Sequence, residues 1–420
     1  TLQNGGSGKI NVTGVDYNND FVANCVKNHH KVIIAGLKPD TVYRYSIKIG
    51  KIIESYSFKT APPQGSSTPI TFGFGSDSRN GPGGGERNIL GANSYVLRKF
   101  MAVALQKEVD FIQFTGDLID GYVTSVDEIM LQYTNWQHIV EPFSHGIPIY
   151  TGMGNHESLG NRLSKSNYKH YRDPHLFFDR FPFDTESSEA VFAKVFVNPE
   201  NGPKSEDGSS ADPNPKIGSI DFPPYLENVY YYTWGNIAVV VLNSDYWYAK
   251  TLKYSSNYTI GGNLHGYLMD NQLKWFENTL DKIQGDSKID YVFVTQHTPP
   301  FPNAGHKKDV MWYDGDNSRR FIVNGIAAER GIIEQRDRYL KAVIEHDKVL
   351  AILSGDEHNY SRMEITTDMK IHPDNYTGKN PLKIDLTDRA NPLWQITNGA
   401  VGAPYYALEK LPWSDNVKFY

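Results

Sequence analysis

The chain has 420 residues, of which 39% are hydrophobic and 21% charged, a balance typical of a folded protein and not of a disordered one. Its length exceeds that of one ordinary core, so we expect one large domain with a smaller one beside it. The net charge of −6 gives no electrostatic footprint for nucleic acid or an anionic membrane, and no apolar run is long enough to span a bilayer.

Cys25 is the only cysteine, which excludes an intrachain disulfide and a thiolate metal cluster. The sequence begins at Thr1 and not at methionine. We therefore expect that a signal peptide has been removed and that the protein is exported to the periplasm, the cell surface or the extracellular medium, although a trimmed chain would read the same way. The sequence does not indicate the oligomeric state.

The first sixty residues alternate apolar and polar side chains in short runs, which predicts strands at Lys31–Ala35, Tyr43–Ile47 and Ile53–Phe58. The segment from Gly36 to Tyr43, Gly-Leu-Lys-Pro-Asp-Thr-Val-Tyr, is a turn followed by a tyrosine at a sheet corner. It resembles the Gly-Leu-x-Pro-x-Thr-x-Tyr turn of fibronectin type III domains. The resemblance implies a small all-β domain over residues 1–62, short for a complete sandwich. The alternative is a simple β-hairpin cap, and either would orient the chain and not catalyse.

Residues 63–69 form a linker rich in Pro and Ser, and residues 70–420 alternate apolar strands with amphipathic helices. This pattern predicts an α/β domain whose strands are buried on both faces. The predicted strands are Ile70–Gly75, Asp110–Thr115, Ile147–Gly152, Tyr230–Leu242, Tyr291–Gln296 and Val349–Ser354. The predicted helices are Asn93–Gln106, Asp270–Ile283 and Glu334–His346. Residues 196–224, dense in Asn, Gly, Pro, Ser and Asp, are interpreted as an insertion at the mouth of the site.

Five of the predicted strands are each followed at once by residues of the types that ligate metal ions. The five segments are Asp77-Ser-Arg79, Asp117-Leu-Ile-Asp120, Asn155-His-Glu157, His297-Thr-Pro and Asp356-Glu-His358. Taken singly, each is better explained as a turn residue, a helix cap or a hydrogen-bonded histidine. Together they predict one site, because ligands in open α/β sheets gather outside the carboxyl ends of strands. Oxygen and imidazole donors suit hard or borderline ions such as Mn, Mg, Fe, Zn or Ca.

These motifs resemble those of the calcineurin-like metallophosphoesterases, and in particular the purple acid phosphatase branch with its leading fibronectin-like domain. The resemblance runs from about Ile70 to Ala403, and Gly-Asn-His-Glu at 154–157 is its most specific element. It implies an α/β fold in which two mixed sheets are flanked by helices, an αββα sandwich. It also implies two divalent or trivalent metal ions and hydrolysis of a small phosphorylated substrate by a metal-bound hydroxide.

The resemblance also assigns roles position by position. Asp117 would bridge the two ions, Asp77 and His358 would complete one metal site, and Asn155, His297 and Asp356 would complete the other. His156 would point at the substrate, to stabilise or protonate it.

Three positions depart from the pattern of this family. Asp356 replaces the first histidine of its closing Gly-His-x-His element, which favours harder metals than zinc. Arg79 stands where many relatives have a ligand histidine; an arginine cannot ligate, and it is equally well explained as a clamp on phosphate or as a structural salt bridge. Asp120 stands where the purple enzymes have a tyrosine, so we expect no tyrosinate colour, and Asp120 is either a further ligand or a turn residue.

Residues 81–88, Gly-Pro-Gly-Gly-Gly-Glu-Arg-Asn, follow the first ligand segment and are interpreted as a flexible connection or as a loop at the rim of the site. Arg87 and His306 are further candidates for substrate contact, against the alternative of ordinary surface residues. Phosphate monoesters are the expected substrates. A phosphodiesterase with the same metal core, or a non-catalytic binding protein that kept the scaffold, is the alternative.

Overall fold

The computed structural model describes residues 9–22, 24–26, 29–79, 88–164, 175–209, 212, 222–250, 262–323, 326–378 and 380–420. The helices are α1 Ser94–Gln106, α2 Val126–Ser144, α3 Phe183–Glu186, α4 Ser188–Val195, α5 Asp270–Gln284 and α6 Ile332–Ile344. The strands are β1 Lys9–Gly14, β2 Tyr17–Val22, β3 Asn24–Val26, β4 His29–Lys31, β5 Val42–Ile49, β6 Ile52–Lys59, β7 Phe72–Gly75, β8 Asn88–Ile89, β9 Ala92–Asn93, β10 Phe111–Thr115, β11 Ile149–Gly152, β12 Gly160–Ser164, β13 His175–Asp179, β14 Tyr230–Trp234, β15 Ile237–Val241, β16 Tyr291–Thr295, β17 Ile322–Val323, β18 Ile326–Ala327, β19 Val349–Ser354, β20 Tyr360–Ile365, β21 Leu393–Asn398 and β22 Val417–Phe419.

The N-terminal region is all β, and its main sheet is antiparallel with the strand order β2-β1-β5-β6. Tyr43 is buried in this sheet and packs edge-on against Tyr17 and face-on against Phe58. Its hydroxyl accepts a hydrogen bond from the backbone N–H of Lys38, at 2.8 Å, which fastens the turn to the strand that follows it. The predicted strands at 43–47 and 53–58 lie inside β5 and β6. The predicted strand Lys31–Ala35 is wrong, because β4 ends at Lys31.

Besides the two-stranded sheets β8-β9, β12-β13 and β17-β18, the rest of the described chain contains two larger sheets. The smaller is parallel in the order β11-β10-β7, and the larger is mixed in the order β14-β15-β16-β19-β21-β20-β22. Parallel neighbours need crossover connections, which α1 and α2 provide in the smaller sheet and α5 and α6 in the larger. The predicted α/β class, with sheets flanked by helices behind an all-β region, is therefore confirmed.

Alternation along the strands explains why the two sheets stack. In β15, Ile237, Val239 and Val241 pack in the layer between the sheets, whereas Ala238 and Val240 pack in the core beneath α5 and α6. Aromatic rings from both sheets fill the layer between them. These rings are Phe72, Phe111, Tyr150, Tyr232, Trp234 and Phe293. The order of layers is helix, sheet, sheet, helix.

Most predicted elements coincide with observed ones to within two residues. The exception in this part of the chain is the predicted strand Tyr230–Leu242, which is a hairpin of β14 and β15. Gly235, with φ of +57°, allows the tight turn between them. Both strands carry β-branched and aromatic residues, so the apolar pattern of the sequence continues through the turn and predicted one long strand.

The described part of the segment 196–224 packs against the body of the chain and does not line the cavity described below. The carboxylate of Glu206 accepts hydrogen bonds from the backbone N–H groups of Asn271 and Gln272 in the first turn of α5. This is a favourable place for an acidic group, because the N-terminus of a helix carries partial positive charge. In the described part of the chain, none of the helices combines the length and the apolar character that a membrane span requires.

Candidate metal centre

The strand ends that carry the predicted ligands are neighbours in the fold. β7, β10 and β11 lie side by side in one sheet, and β16 and β19 lie side by side in the other. Asp77, Asp117 and Asp356 come directly after β7, β10 and β19, and their φ angles are 62°, 51° and 65°. A left-handed backbone is rare in a residue with a side chain, and such positions cluster at functional sites. A residue with a left-handed backbone therefore follows each of the three strands, and the three carboxylates lie at the carboxyl-end edge of the sheets.

A first group of candidate ligands contains Asp77, Asp117 and His358. Nε2 of His358 lies 3.3 Å from Oδ1 of Asp77. Asp77, Asp117 and His297 each offer a ligand atom within 4.8 Å of the others. All four of these side chains are buried.

His297 is the centre of a second group. Its Nε2 lies 3.2 Å from Oδ1 of Asp117, 3.1 Å from Oδ1 of Asn155 and 3.5 Å from Oδ1 of Asp356. Asp117 thus lies close to members of both groups, which is the position that a bridging carboxylate requires. The structure brings together all six of the residues to which the sequence assigned a firm ligand role.

Backbone carbonyls fix the orientation of the two ligand imidazoles. Nδ1 of His297 lies 2.9 Å from the carbonyl oxygen of Thr115, and Nδ1 of His358 lies 2.6 Å from that of Pro404. A carbonyl only accepts hydrogen bonds, so each Nδ1 carries the proton. Each Nε2 then keeps its lone pair, as in metal-binding histidines generally. Nε2 of His297 lies among the other candidate ligands, and Nε2 of His358 lies between Asp77 and a terminal nitrogen of Arg79.

The carboxylate of Glu157 holds the two loops of the centre together. One oxygen accepts from the backbone N–H groups of Asp117 and Gly154, at 2.8 and 2.7 Å, and the other accepts from Leu118 at 2.8 Å. Glu157 has no exposed surface. The sequence placed this residue in its most specific motif without giving it a role, and the structure shows that it positions the loop that carries Asp117.

The donor set fits metal ions. Oδ1 of Asp77 and Oδ2 of Asp356 are buried and accept no hydrogen bond from any residue that the structure describes. Burial opposes the ionisation of both carboxyls. For the Asp77 carboxyl, the charges of His297 and His358 outweigh burial. For the Asp356 carboxyl, the charges of His306 and His265 do so. The pKa of each carboxyl therefore lies below its ordinary value. Buried anionic oxygens without a partner are costly, and a bound cation is the partner that would remove the cost.

A cavity of about 150 Å³ opens onto the two ligand groups. Its walls carry two cations, Arg79 and Lys250, and three tyrosine rings beside the candidate ligands. The lining residues are Arg79, Asp117, Tyr122, Asn155, His156, Tyr248, Lys250, His265, His306, Asp309, Asp356, His358 and Tyr406. The cavity therefore combines acidic ligand groups at its base with positive charge at its walls.

Arg79 has a carboxylate partner and also lies on the wall of the cavity. Its Nε lies 3.4 Å from Oδ2 of Asp117, and one terminal nitrogen lies 3.3 Å from Nε2 of His358. Burial opposes its charge, but Asp117 and Asp77 outweigh burial and raise the pKa of the guanidinium. The salt bridge and a contact with bound phosphate are compatible in this position.

His156 lines the cavity next to Asn155. Its Nδ1 lies 2.6 Å from the carbonyl oxygen of Asp120, its backbone N–H donates to Oδ1 of Asp117 at 3.0 Å, and its Nε2 lies 3.8 Å from Oδ2 of Asp117. Burial lowers the pKa of this imidazole to about 3. His156 is held by its ring and by its backbone, as a group that contacts a substrate has to be.

The three tentative site residues, Asp120, His306 and Arg87, differ in where they lie. The carboxylate of Asp120 belongs to neither ligand group, and the contribution of this residue is the carbonyl oxygen that orients His156. The side chain of His306 is 19% exposed and faces the cavity, 3.5 Å from Oδ1 of Asp356. Arg87 and the glycine-rich loop at 81–87 lie outside the described residues.

The sequence reasoning missed His265, which lines the cavity, and Asp245, which contacts His265 from behind it. Nε2 of His265 lies 3.3 Å from Oδ1 of Asp245 and 3.5 Å from Oδ2 of Asp356. Asp245 carried the usual signal, because Asn243-Ser-Asp245 follows a predicted strand. His265 lies in a loop between Gly262 and Gly266, remote from any predicted strand end, and no local pattern marks it.

Comparison with known proteins gives the family and the fold of the chain. A family model described as "Calcineurin-like phosphoesterase" matches residues 90–360, a range that begins after Asp77 and Arg79. Among solved structures, the chain is similar to one described as "Structure of PhoD", with a TM-score of 0.54 and 14% identity, over 94% of this chain and 70% of that one. It also matches a dimetal phosphatase from Danio rerio, with a TM-score of 0.41 and 14% identity, over 80% of this chain and 90% of that one. At such identities the likeness to PhoD shows the fold alone. None of the curated proteins matches the chain.

Proposed function

This chain belongs to the calcineurin-like phosphoesterase family and is therefore a metal-dependent phosphoesterase, and on that basis we propose that it hydrolyses phosphate monoesters at a pair of metal ions. The observation that carries the proposal is the meeting of buried, partly unpartnered carboxylates and imidazoles at the base of a cavity with cationic walls.

Each of the two ligand groups would bind one metal ion. Asp77, Asp117 and His358 would hold one ion, and Asn155, His297 and Asp356 would hold the other together with Asp117. When bound, a pair of divalent cations supplies an activated water and neutralises the charge on the phosphoryl oxygens. The preferred metals are those that accept oxygen-rich ligand sets, such as Mn, Fe or Mg.

The remaining work falls to side chains of the cavity wall. His156, whose ring is held by the carbonyl of Asp120 and whose backbone N–H donates to Asp117, would contact an ester oxygen through Nε2. Because burial keeps the pKa of the ring near 3, Nε2 would donate to that oxygen only after taking up a proton beside the bound phosphate. Arg79 would bind the phosphate through guanidinium N–H groups that its contacts with Asp117 and His358 leave available. Lys250, whose ammonium lies 4.0 Å above the ring of Tyr122, would add a second positive charge.

Charge and size support a monoester. A phosphate monoester has two negative charges at neutral pH and a diester has one, so Arg79 and Lys250 match the dianion. A cavity of about 150 Å³ has little room for a second ester substituent. The same two features set the expected preference for small alcohol leaving groups.

The test compares p-nitrophenyl phosphate with bis(p-nitrophenyl) phosphate, using protein reloaded separately with Mn²⁺, Fe²⁺, Mg²⁺ and Zn²⁺. The expected result is a higher kcat/KM for the monoester with at least one metal, and loss of that activity in Asp117→Asn. A higher kcat/KM for the bis ester with every active metal would overturn the monoester assignment and point to a phosphodiesterase.

A further inference from the structure

Asp356 connects the candidate centre to a separate set of donors in the same cavity. One of its oxygens, Oδ1, lies 3.5 Å from Nε2 of His306, and the other, Oδ2, lies 3.5 Å from Nε2 of His265. Asp245 extends the set, because its Oδ1 lies 3.3 Å from the same nitrogen of His265. The proposed pair of ions uses none of these three additional residues.

The atoms of this set lack hydrogen-bond partners. Nε2 of His265, Oδ1 of Asp245 and Oδ2 of Asp356 are all buried, and none forms a hydrogen bond with a described residue. The three side chains belong to residues that are 3%, 4% and 1% exposed. A buried imidazole nitrogen between two buried carboxylate oxygens, with no hydrogen bond to either, indicates that a group which bonds to all three belongs there.

The distances are those of ligands around one ion. His265, His306 and Asp356 each offer a donor atom within 4.8 Å of the others. In a tetrahedral or octahedral shell with bonds of about 2.1 Å, adjacent donor atoms lie roughly 3.0 to 3.4 Å apart. The separation of 3.3 Å falls within that range, and the two separations of 3.5 Å lie just above it.

Neighbouring residues hold the ring of His306 and the backbone of His265 in place. Nδ1 of His306 lies 3.0 Å from Oδ1 of Asp309, which leaves its Nε2 for the shared carboxylate of Asp356. The backbone carbonyl of His265 accepts a hydrogen bond from the hydroxyl of Tyr313 at 3.3 Å. A carboxylate behind a histidine is the common arrangement at metal sites, where it fixes the ring and raises the basicity of the ligating nitrogen.

We propose that His265, His306, Asp356 and Asp245 form a third cation site, which shares Asp356 with the second ion of the catalytic pair. The second ion is complete without it, since Asp117, Asn155, His297 and Asp356 already provide four donors. Two imidazoles and two carboxylates favour a borderline divalent ion such as Zn²⁺, Mn²⁺ or Fe²⁺. The third ion sits at the wall of the cavity and places additional positive charge where the substrate enters.

The test counts metal ions in variants of the full chain. Wild-type protein, His265→Gln and His346→Gln are stripped with EDTA, reloaded with Mn²⁺ alone or Zn²⁺ alone, freed of excess metal and analysed by elemental mass spectrometry. His346 is the matched control, because it is a buried histidine whose Nε2 lies 3.1 Å from a carboxylate oxygen, that of Asp281, and because it precedes β19 whereas Asp356 follows the other end of that strand. The expected result is three ions per chain in the wild type and in His346→Gln, and two in His265→Gln.

The position of the lost ion is read from a crystal of the wild-type protein loaded with Mn²⁺. An anomalous peak about 2.0 to 2.3 Å from Nε2 of both His265 and His306 supports the site. The proposal is overturned if that peak is absent, or if His265→Gln binds as many ions as the wild type. This crystal also decides the matter if the variant does not fold. A wild-type protein that binds two ions and still hydrolyses the monoester would refute the third site and leave the proposed function intact.

Discussion

His156 and Glu157 are adjacent in the chain and do different work at the scale of single residues. His156 faces the cavity, whereas Glu157 is turned into the protein and binds backbone N–H groups of the two loops. A single short motif therefore combines a candidate metal ligand, Asn155, with a substrate contact and a structural anchor. Substitutions at the two positions are expected to separate chemistry from assembly.

Replacement of His156 by alanine is expected to leave the metal content unchanged and to lower kcat by about 10²- to 10⁴-fold, the usual contribution of a group that transfers or polarises a proton. Steady-state kinetics with p-nitrophenyl phosphate, together with elemental analysis, measures both quantities. The control is His138→Ala on α2, whose side chain is 48% exposed and which lies away from the cavity. Full turnover in His156→Ala would remove the assignment.

Replacement of Glu157 by glutamine is expected to lower the free energy of unfolding by about 1 to 3 kcal/mol and to reduce the metal content. Both carboxylate oxygens accept from backbone donors, so in either orientation the amide group of glutamine puts an N–H against an N–H. Urea denaturation and elemental analysis provide the measurements, with the exposed Glu141→Gln as the control. An unchanged midpoint and a full complement of metal would contradict the role given to Glu157.

At the scale of elements, helix α2 carries the sequence signals of a helix N-terminus, although no helix was predicted there. Ser125 caps the helix by accepting a hydrogen bond from the N–H of Glu128, and Asp127 and Glu128 provide the acidic first turn. The apolar residues on the buried face of α2 have helical spacing, and the cap, the charge and the period all agreed. The helix was therefore predictable from local signals, although it is not among the three predicted helices.

Two buried carboxyls join β13, α4 and the segment that carries part of the cavity wall. Asp179, at the end of β13, accepts from the N–H of Ser188 at 2.9 Å, and Glu189 of α4 accepts from the N–H of Trp247 at 2.7 Å. Burial raises the pKa of Asp179 to about 6, and burial together with the charge of Asp179 raises the pKa of Glu189 well above its ordinary value. The folded protein therefore holds a proton on this pair that the unfolded chain releases more readily.

The sign of the pH dependence follows from the raised pKa values. The stability that the shared proton provides is present near pH 4 and is lost as the pH rises through about 6. Relative to Glu189→Gln, whose amide donates a hydrogen bond at every pH, the wild type is expected to lose on the order of 2 kcal/mol of unfolding free energy between pH 5 and pH 8. Urea denaturation of both proteins at the two pH values measures the difference. A constant difference would show that the pair is not coupled in this way.

At the scale of the whole molecule, the N-terminal sheet rests on the end of α2. The hydroxyl of Tyr45 donates to the carbonyl oxygen of His145 at 3.0 Å, and the ring of Tyr56 stacks on the His145 ring with centroids 3.7 Å apart. Lys31 adds an ion pair with Glu227 at 2.8 Å. These contacts suit an orienting role for the N-terminal region. The domain limits at residues 62 and 70, the fibronectin type and export stay predictions.

The metal ions are expected to stabilise the whole fold, because Asp77, Asp117 and Asp356 are buried where the two sheets meet. Binding to the folded state alone adds about 2.7 kcal/mol at a metal concentration a hundred times Kd. EDTA is therefore expected to lower the thermal midpoint, and added Mn²⁺ to restore it. Differential scanning calorimetry of the wild type and of Asp117→Asn checks this. An EDTA effect as large in Asp117→Asn as in the wild type would show that the stabilising ion binds elsewhere.

The resemblance to a family supplied the roles of the six candidate ligands, and those roles stay predictions. The sequence by itself determined the α/β alternation, most element positions and the strand ends that carry ligand residue types. Each of these depends on a local signal: a period of two or 3.6, or a polar residue directly after an apolar strand. Asp77, Asn155 and His358 could be named because the carboxyl ends of parallel strands meet at one edge. Asp245 carried the same signal and could have been named as well.

Only the tertiary structure decided which other side chains reach the centre. His265 comes from a loop, and Tyr406 comes from a segment without helix or strand, and both meet the cavity because the two sheets stack and carry these segments with them. Distances between residues remote in the chain depend on this packing and leave no periodic trace in the sequence. The same packing places the backbone carbonyl of Asp120 against the ring of His156 and the imidazole of His306 on the cavity wall.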